Sequence, residues 1–250
     1  MKPRLPSDGF ATACLAVSIA AACGAALDGN LAAAAWLAGF LHYALYLRAF
    51  AWGVPDFHGF KRAAVALKMV GIGMLALPYA SASPGLPSVV VVFAGIALST
   101  AAASRLGIDR TYYGQEVAGL PALRATGFPY SLAAHPMIAG NLIAIGGTLL
   151  APSFTAEWGY LAAAHLAANL GLLAMEIAGP ARRTAIRLWG PPAIGAIVGG
   201  GLLLSWPGPH GAMAQAHWTF GATALAATGA AALVLHARRA AGGGSPPGAA

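Results

Sequence analysis

The run Pro87–Leu106, PSVVVVFAGIALSTAAASRL, carries no charge before Arg105. It matches the roughly 20 residues that a helix needs to cross hydrocarbon. Working outward from it, similar runs recur with short polar breaks: Gly9–Leu27, Leu31–Trp52 and Ala63–Ala82 before it, and Pro136–Ala151, Trp158–Ala178, Pro192–Trp206 and Trp218–His236 after it. The shorter ones are accommodated by tilt or local thinning of the bilayer. Of 250 residues, 58% are hydrophobic and 8% charged. A soluble domain carries about a quarter charged residues, so this chain has too little polar surface to cover a water-soluble globule. The reading is an all-helical, polytopic transmembrane bundle of about eight spans. Abundant Gly and Ala suit close helix packing in lipid.

The net charge of +7 does not indicate nucleic acid, because the basic residues fall in small groups between apolar runs. Their placement fits membrane topology instead. With the N-terminus cytoplasmic and sides alternating, the cytoplasmic segments and adjoining span ends hold Lys2, Arg4, Arg48, Lys61, Arg62, Arg105, Arg110, Arg124, Arg182, Arg183, Arg187, Arg238 and Arg239. Lys68 lies near the cytoplasmic end of its span, where it can snorkel. The opposite loops, Asp28–Asn30, Ser83–Leu86, Pro152–Glu157 and Pro207–His217, contain no Lys or Arg. The positive-inside rule is thus met throughout, with both termini cytoplasmic and the protein in the inner membrane. The start also has signal-peptide character, but the charge alternation works better if that segment stays. Residues 1–239 read as a single transmembrane domain and 240–250 as a disordered Gly/Pro/Ser-rich tail. Cys14 and Cys23 have no metal-type spacing and read as small buried apolar residues.

The longest cytoplasmic stretch, Arg105–His135, concentrates Asp109, Arg110, Tyr112, Tyr113, Gln115, Glu116, Arg124, Tyr130 and His135. A mere connection needs only a few residues. His135-Pro136 opens the fifth span, with proline at a first helical position. The unpaired N–H groups of such a turn attract anions. Glu176 sits near the end of the sixth span, the unfavourable helix end for a carboxylate. It either pairs with a nearby cation such as Arg182, Arg183 or Lys68, or serves a site. A short loop joins these two spans, so His135 and Glu176 return to one membrane face.

The segments LGIDRTYYG (Leu106–Gly114), GFPY (Gly127–Tyr130) and His135-Pro136-Met137 with Gly140 resemble the phospholipid methyltransferases. These include phosphatidylethanolamine N-methyltransferase, within a superfamily that also holds isoprenylcysteine carboxyl methyltransferase. The likeness covers about residues 93–180, with a weaker echo over Leu41–Ala82. It implies an integral membrane enzyme that uses S-adenosyl-L-methionine. The family's Gly-x-Gly pair falls on Phe93-Ala94-Gly95, keeping only the second glycine, and its acidic pair falls on Met175-Glu176, keeping only the glutamate. Ile138 stands where an aromatic often follows the His-Pro-Met motif. By resemblance, Gly95, His135, Pro136, Met137, Gly140 and Glu176 would hold the cofactor. His135 or Glu116 would accept a proton, since an amine must be neutral to attack. Arg110 and Arg124 would hold a lipid phosphate, and Tyr113 and Tyr130, with Tyr112, would shelter a methylammonium or anchor the interface. The implied acceptor is a membrane lipid, phosphatidylethanolamine first. An isoprenylcysteine carboxylate or a small thiol or amine is the alternative. Outside this class, His42 and His165 inside spans admit a haem-binding electron carrier, though interhelical hydrogen bonds satisfy such histidines more often. A transporter would show broken helices in matching halves, which the sequence lacks.

Overall fold

The computed structural model describes residues 8–123 and 125–178. Within them the chain is helical with no strand: α1 Asp8–Leu27, α2 Leu31–Trp52, α3 Phe57–Ser81, α4 Leu86–Leu106, α5 Ile108–Thr111, α6 Gly114–Ala118, α7 Pro136–Thr148 and α8 Pro152–Ala178. The expected seventh and eighth spans and the tail lie outside the described residues, as does Arg124. Phe57–Ser81, Leu86–Leu106 and Pro152–Ile177 are long and apolar enough to cross a membrane.

Helix ends follow local chemistry. Asn30 caps α2, its side chain accepting from the Ala33 N–H at 3.0 Å. Asp56 caps α3 by accepting from the His58 N–H at 2.9 Å. Each satisfies a donor that the first turn leaves unpaired. Pro sits in the first turn of both α4 and α7. Gly107, with φ 81°, ends α4 in a conformation that costs a side-chain-bearing residue energy. Two helices begin six residues before their apolar runs. α3 starts at Phe57 rather than Ala63, and α8 at Pro152 rather than Trp158. Charges and hydroxyls mark where apolar surface stops, whereas a helix continues until its cap. α7 ends sooner than expected, at Thr148. Its 13 residues reach only about 20 Å at 1.5 Å per residue.

α2 is the central helix. Trp36, Leu37, Phe40, Leu41, Leu45 and Phe50 are all buried. α1 packs on one side of it and α3 on another, while α8 crosses it. The expectation that Cys23 is buried is corrected: it is exposed. α1 meets the core through Ala22 and Ala25, and Cys23 is turned about 100° from Ala22 on the helix. Cys14 has no described side-chain environment.

The tightest helix pair is α4 with α7. A Cβ on Gly140 would lie 2.6 Å from the Ser99 nitrogen and 2.7 Å from the Gly95 oxygen. One on Gly95 would meet the Gly140 oxygen at 2.6 Å and the Ala144 nitrogen closer still. Gly147 presses on Val91 and Val92. Two backbones thus approach where side chains are missing, the packing that lipid-embedded helices favour. Ser88 of α4 donates to the Gly147 carbonyl at 2.7 Å. Deeper in the bundle, a polar chain ties four helices. The Ser99 hydroxyl donates to Asn141 Oδ1 (2.9 Å), Asn141 Nδ2 donates to Asn169 Oδ1 (3.2 Å), and Asn169 Nδ2 donates to the Tyr43 hydroxyl (2.8 Å). Tyr43 lies 3.3 Å from His165 Nδ1. Buried amides need such partners, because nothing else nearby can replace water.

Candidate functional site

α7 and α8 form an antiparallel hairpin through a turn at 149–151. Its open end brings together residues 41 positions apart: His135 Nδ1 and Glu176 Oε2 lie 2.7 Å from each other. His135 occupies the N-cap of α7 without a side-chain hydrogen bond to the first turn. The early N–H groups of that turn, at Met137 and Ile138, therefore lack a side-chain acceptor. The Glu176 hydrogen bond raises the His135 pKa above the ordinary histidine value, against a lowering by partial burial. The contact favours the protonated imidazole, and the two side chains are 34% and 17% exposed.

A cavity of about 120 Å³ opens at this pair. Arg110, Tyr113, Glu116, Tyr130, Pro136 and Met137 line it beside His135 and Glu176. Three separate segments of chain meet there. α5 and α6 cover α2 through Tyr113, which has left-handed backbone angles (φ 63°, ψ 29°). Such angles are sparsely used by side-chain-bearing residues. The ring is buried edge-on against Tyr46 (5.2 Å between centroids) and Phe50 (4.7 Å). Burial raises its hydroxyl pKa, and the neighbouring Glu176 charge adds to this. The Lys61 ammonium pairs with Asp109, fastening α3 to α5. Tyr130 donates to the Ala102 carbonyl at 3.3 Å, and Arg110 donates to the Pro121 carbonyl at 3.4 Å.

The remaining sequence candidates lie elsewhere. Gly95 and Gly140 face each other in the α4–α7 seam and do not line the cavity. Arg124 is outside the described residues. Tyr112 is buried, with the Lys68 ammonium 6.0 Å from its ring centroid. His42 and His165 are buried in the bundle, the His42 ring tilted against Tyr43 with centroids 3.9 Å apart. Among the described residues no group of three or more His, Cys, Asp or Glu is arranged to hold a metal ion. Sequence reasoning missed the Ser99–Asn141–Asn169–Tyr43 chain and the left-handed turn at Tyr113. Two asparagines within apolar helices were the available signal for the first, since an unpaired amide in hydrocarbon is costly.

The donor set suits the amino-acid end of a methyl donor. A histidine whose protonated form is favoured, with the helix N–H groups beside it, complements a carboxylate, and a glutamate complements an ammonium. The cavity is smaller than the roughly 300–1,000 Å³ of complete small-molecule sites.

The fold and the site define a helical membrane protein with a polar pocket at one end of the bundle. Residues 86–177 match the model of the phospholipid methyltransferase family. The matched segment is the one that carries the sequence motifs, and that family implies methyltransferase activity in general. No curated protein and no solved structure matches the chain.

Proposed function

We propose that the protein is an integral membrane methyltransferase that uses S-adenosyl-L-methionine. Its acceptor is the phosphatidylethanolamine head group, which it methylates towards phosphatidylcholine. The observation that carries this reading is the 2.7 Å His135–Glu176 contact beside a cavity, inside the segment that matches the family. The bundle crosses the inner membrane about eight times with both termini cytoplasmic. The pocket then faces the cytoplasm, because Arg48, Lys61, Arg105 and Arg110 fall at the helix ends on its side.

His135 and the first-turn N–H groups of α7 would hold the donor's carboxylate, and Glu176 its ammonium or ribose hydroxyls. When bound, the donor supplies a methyl group on a sulfonium, a leaving group that departs as a neutral thioether. Gly95 and Gly140 act at one remove, by fixing α4 against α7. Arg110, with Arg124, would hold the lipid phosphate, and Tyr113 and Tyr130 would flank the amine. Rate comes largely from alignment of amine, methyl and sulfur. The amine must also lose a proton. His135 or Glu116, both lining the cavity, would accept it.

The test is incubation of purified protein with methyl-labelled S-adenosyl-L-methionine and total bacterial lipid, followed by thin-layer separation. Label in mono-, di- or trimethylated phosphatidylethanolamine is expected. Absence of labelled lipid, with the donor demonstrably bound, would overturn the acceptor assignment.

A further inference from the structure

One wall of the cavity at His135 and Glu176 comes from two very short helices. Arg110, Thr111, Tyr113, Gln115 and Glu116, from α5, α6 and the turn between them, form it. Helices of 4 and 5 residues do not stand alone, because nucleating the first turn is unfavourable. Their place is set by the elements they touch. Tyr113 is seated on α2 by Tyr46 and Phe50. At the start of the wall, Asp109 in the first turn of α5 pairs with Lys61 of α3. The Lys61 ammonium also lies 5.7 Å from the centre of the Phe57 ring. A Cβ on the buried Gly114 would lie 2.6 Å from the Asp109 carbonyl oxygen and 3.1 Å from Phe57 Cζ. The beginning of α3 thus grips the wall twice, by charge at Asp109 and by close packing at Gly114.

We infer that Lys61 is a positioning residue: through Asp109 it fixes the α5–α6 wall, and with it Arg110 and Glu116, at the cavity they share with His135 and Glu176. The inference rests on the methyltransferase reading and adds a residue that lies outside the matched segment 86–177. The hydrogen bond from Lys61 lowers the Asp109 pKa from its ordinary value, and the nearby charges of Lys61, His58 and Arg110 lower it further. The partner of the ammonium is therefore a carboxylate at neutral pH. With Lys61 and Asp109 side chains 18% and 46% exposed, such a pair adds little to overall stability. Its effect is on placement. Arg110 follows Asp109 directly, so a turn of α5 freed from α3 carries the guanidinium with it. Misplacing a positioned group by about 1 Å can cost on the order of a hundredfold in rate. His135 and Glu176 sit on α7 and α8, so the donor's polar end does not depend on this wall.

The experiment uses the full chain in lipid nanodiscs. Three quantities are read: amide hydrogen exchange, binding of S-adenosyl-L-methionine by calorimetry, and kcat for methyl transfer to phosphatidylethanolamine. Lys61→Met, which keeps the apolar stem and removes the charge, should speed exchange over residues 108–118 and leave α7 and α8 unchanged. It should lower kcat at least tenfold while donor affinity stays within threefold of wild type. Asp109→Asn should act alike, and the two changes together should cost no more than either alone. Lys61→Arg, which keeps a cation, should hold kcat within threefold of wild type. Wild-type kcat or wild-type exchange in Lys61→Met would overturn the assignment, as would additive losses in the double variant or loss of donor binding in parallel with turnover. A wild-type protein that transfers no methyl group would instead defeat the methyltransferase reading, and the exchange over 108–118 would then decide by itself whether Lys61 holds the wall.

Discussion

Glu176 is placed where a helix least welcomes a carboxylate, within the last turn of α8, and its answer to that cost is His135. Removing the charge should release the imidazole. Glu176→Gln should lower the His135 pKa toward the ordinary value of about 6.5 and weaken donor binding at least tenfold, with normal expression. An NMR titration of the imidazole and a calorimetric titration of the donor check both. The pair also gives stability a pH dependence of defined sign. His135 has a raised pKa in the folded protein, so the pair contributes fully below the ordinary histidine value. That contribution is lost as pH rises through the higher folded value. The gap in thermal stability between wild type and Glu176→Gln should therefore be widest in mild acid and narrow as pH rises, by an amount limited by solvent screening of the one-third-exposed imidazole. A gap that widens with pH would contradict the assigned charges. The sequence showed both residues and their common membrane face, because span counting and one short loop suffice for that. It could not show that they touch, which depends on the rotation of α7 and α8 about their axes.

The α4–α7 seam explains why glycine recurs where it does. Gly140→Leu would drive a side chain into the Ser99 backbone and should cost on the order of 1–3 kcal/mol, the usual range for overpacking. Gly146, in the same helix, has nothing within 4 Å of its would-be Cβ. Gly146→Ala should be tolerated and can add up to roughly 1 kcal/mol through helix propensity. Thermal unfolding in detergent distinguishes the two; equal effects would mean that the helices do not meet through this face. Gly95 looked like a cofactor contact by resemblance, and its missing Cβ is instead used by Ala144 and Gly140. Motif matching locates a glycine without saying which neighbour needs the space. The buried polar chain gives a companion expectation. Asn169→Leu removes the link between Asn141 and Tyr43 and leaves their polar atoms short of a partner, at a cost of about 1–3 kcal/mol.

Across the molecule, hydropathy and charge located the described helices well. Each of the first six expected spans has a helix on it, with shifts only at the ends. Apolar length and the positions of Lys and Arg are linear properties of a sequence, so they survive without an alignment. The pocket is not linear. It needs α5 and α6 folded over α2 by the left-handed Tyr113, and no periodicity announces that turn. The topology makes its own prediction. In inverted membrane vesicles, a cysteine introduced by Ser131→Cys, beside the pocket, should react with an impermeant thiol reagent. One introduced by Ser83→Cys, in the turn between α3 and α4, should be protected, and intact cells should give the reverse pattern. Labelling of both from one side would contradict the proposed orientation.

Every role proposed for the pocket requires the donor to occupy the end of the α7–α8 hairpin. Calorimetric titration of S-adenosyl-L-methionine into wild-type protein and into Glu176→Gln, both in nanodiscs, tests this directly. Saturable binding by the wild type, weakened at least tenfold in the variant, is predicted. Equal affinity in the two, or no binding by the folded wild type, would contradict it.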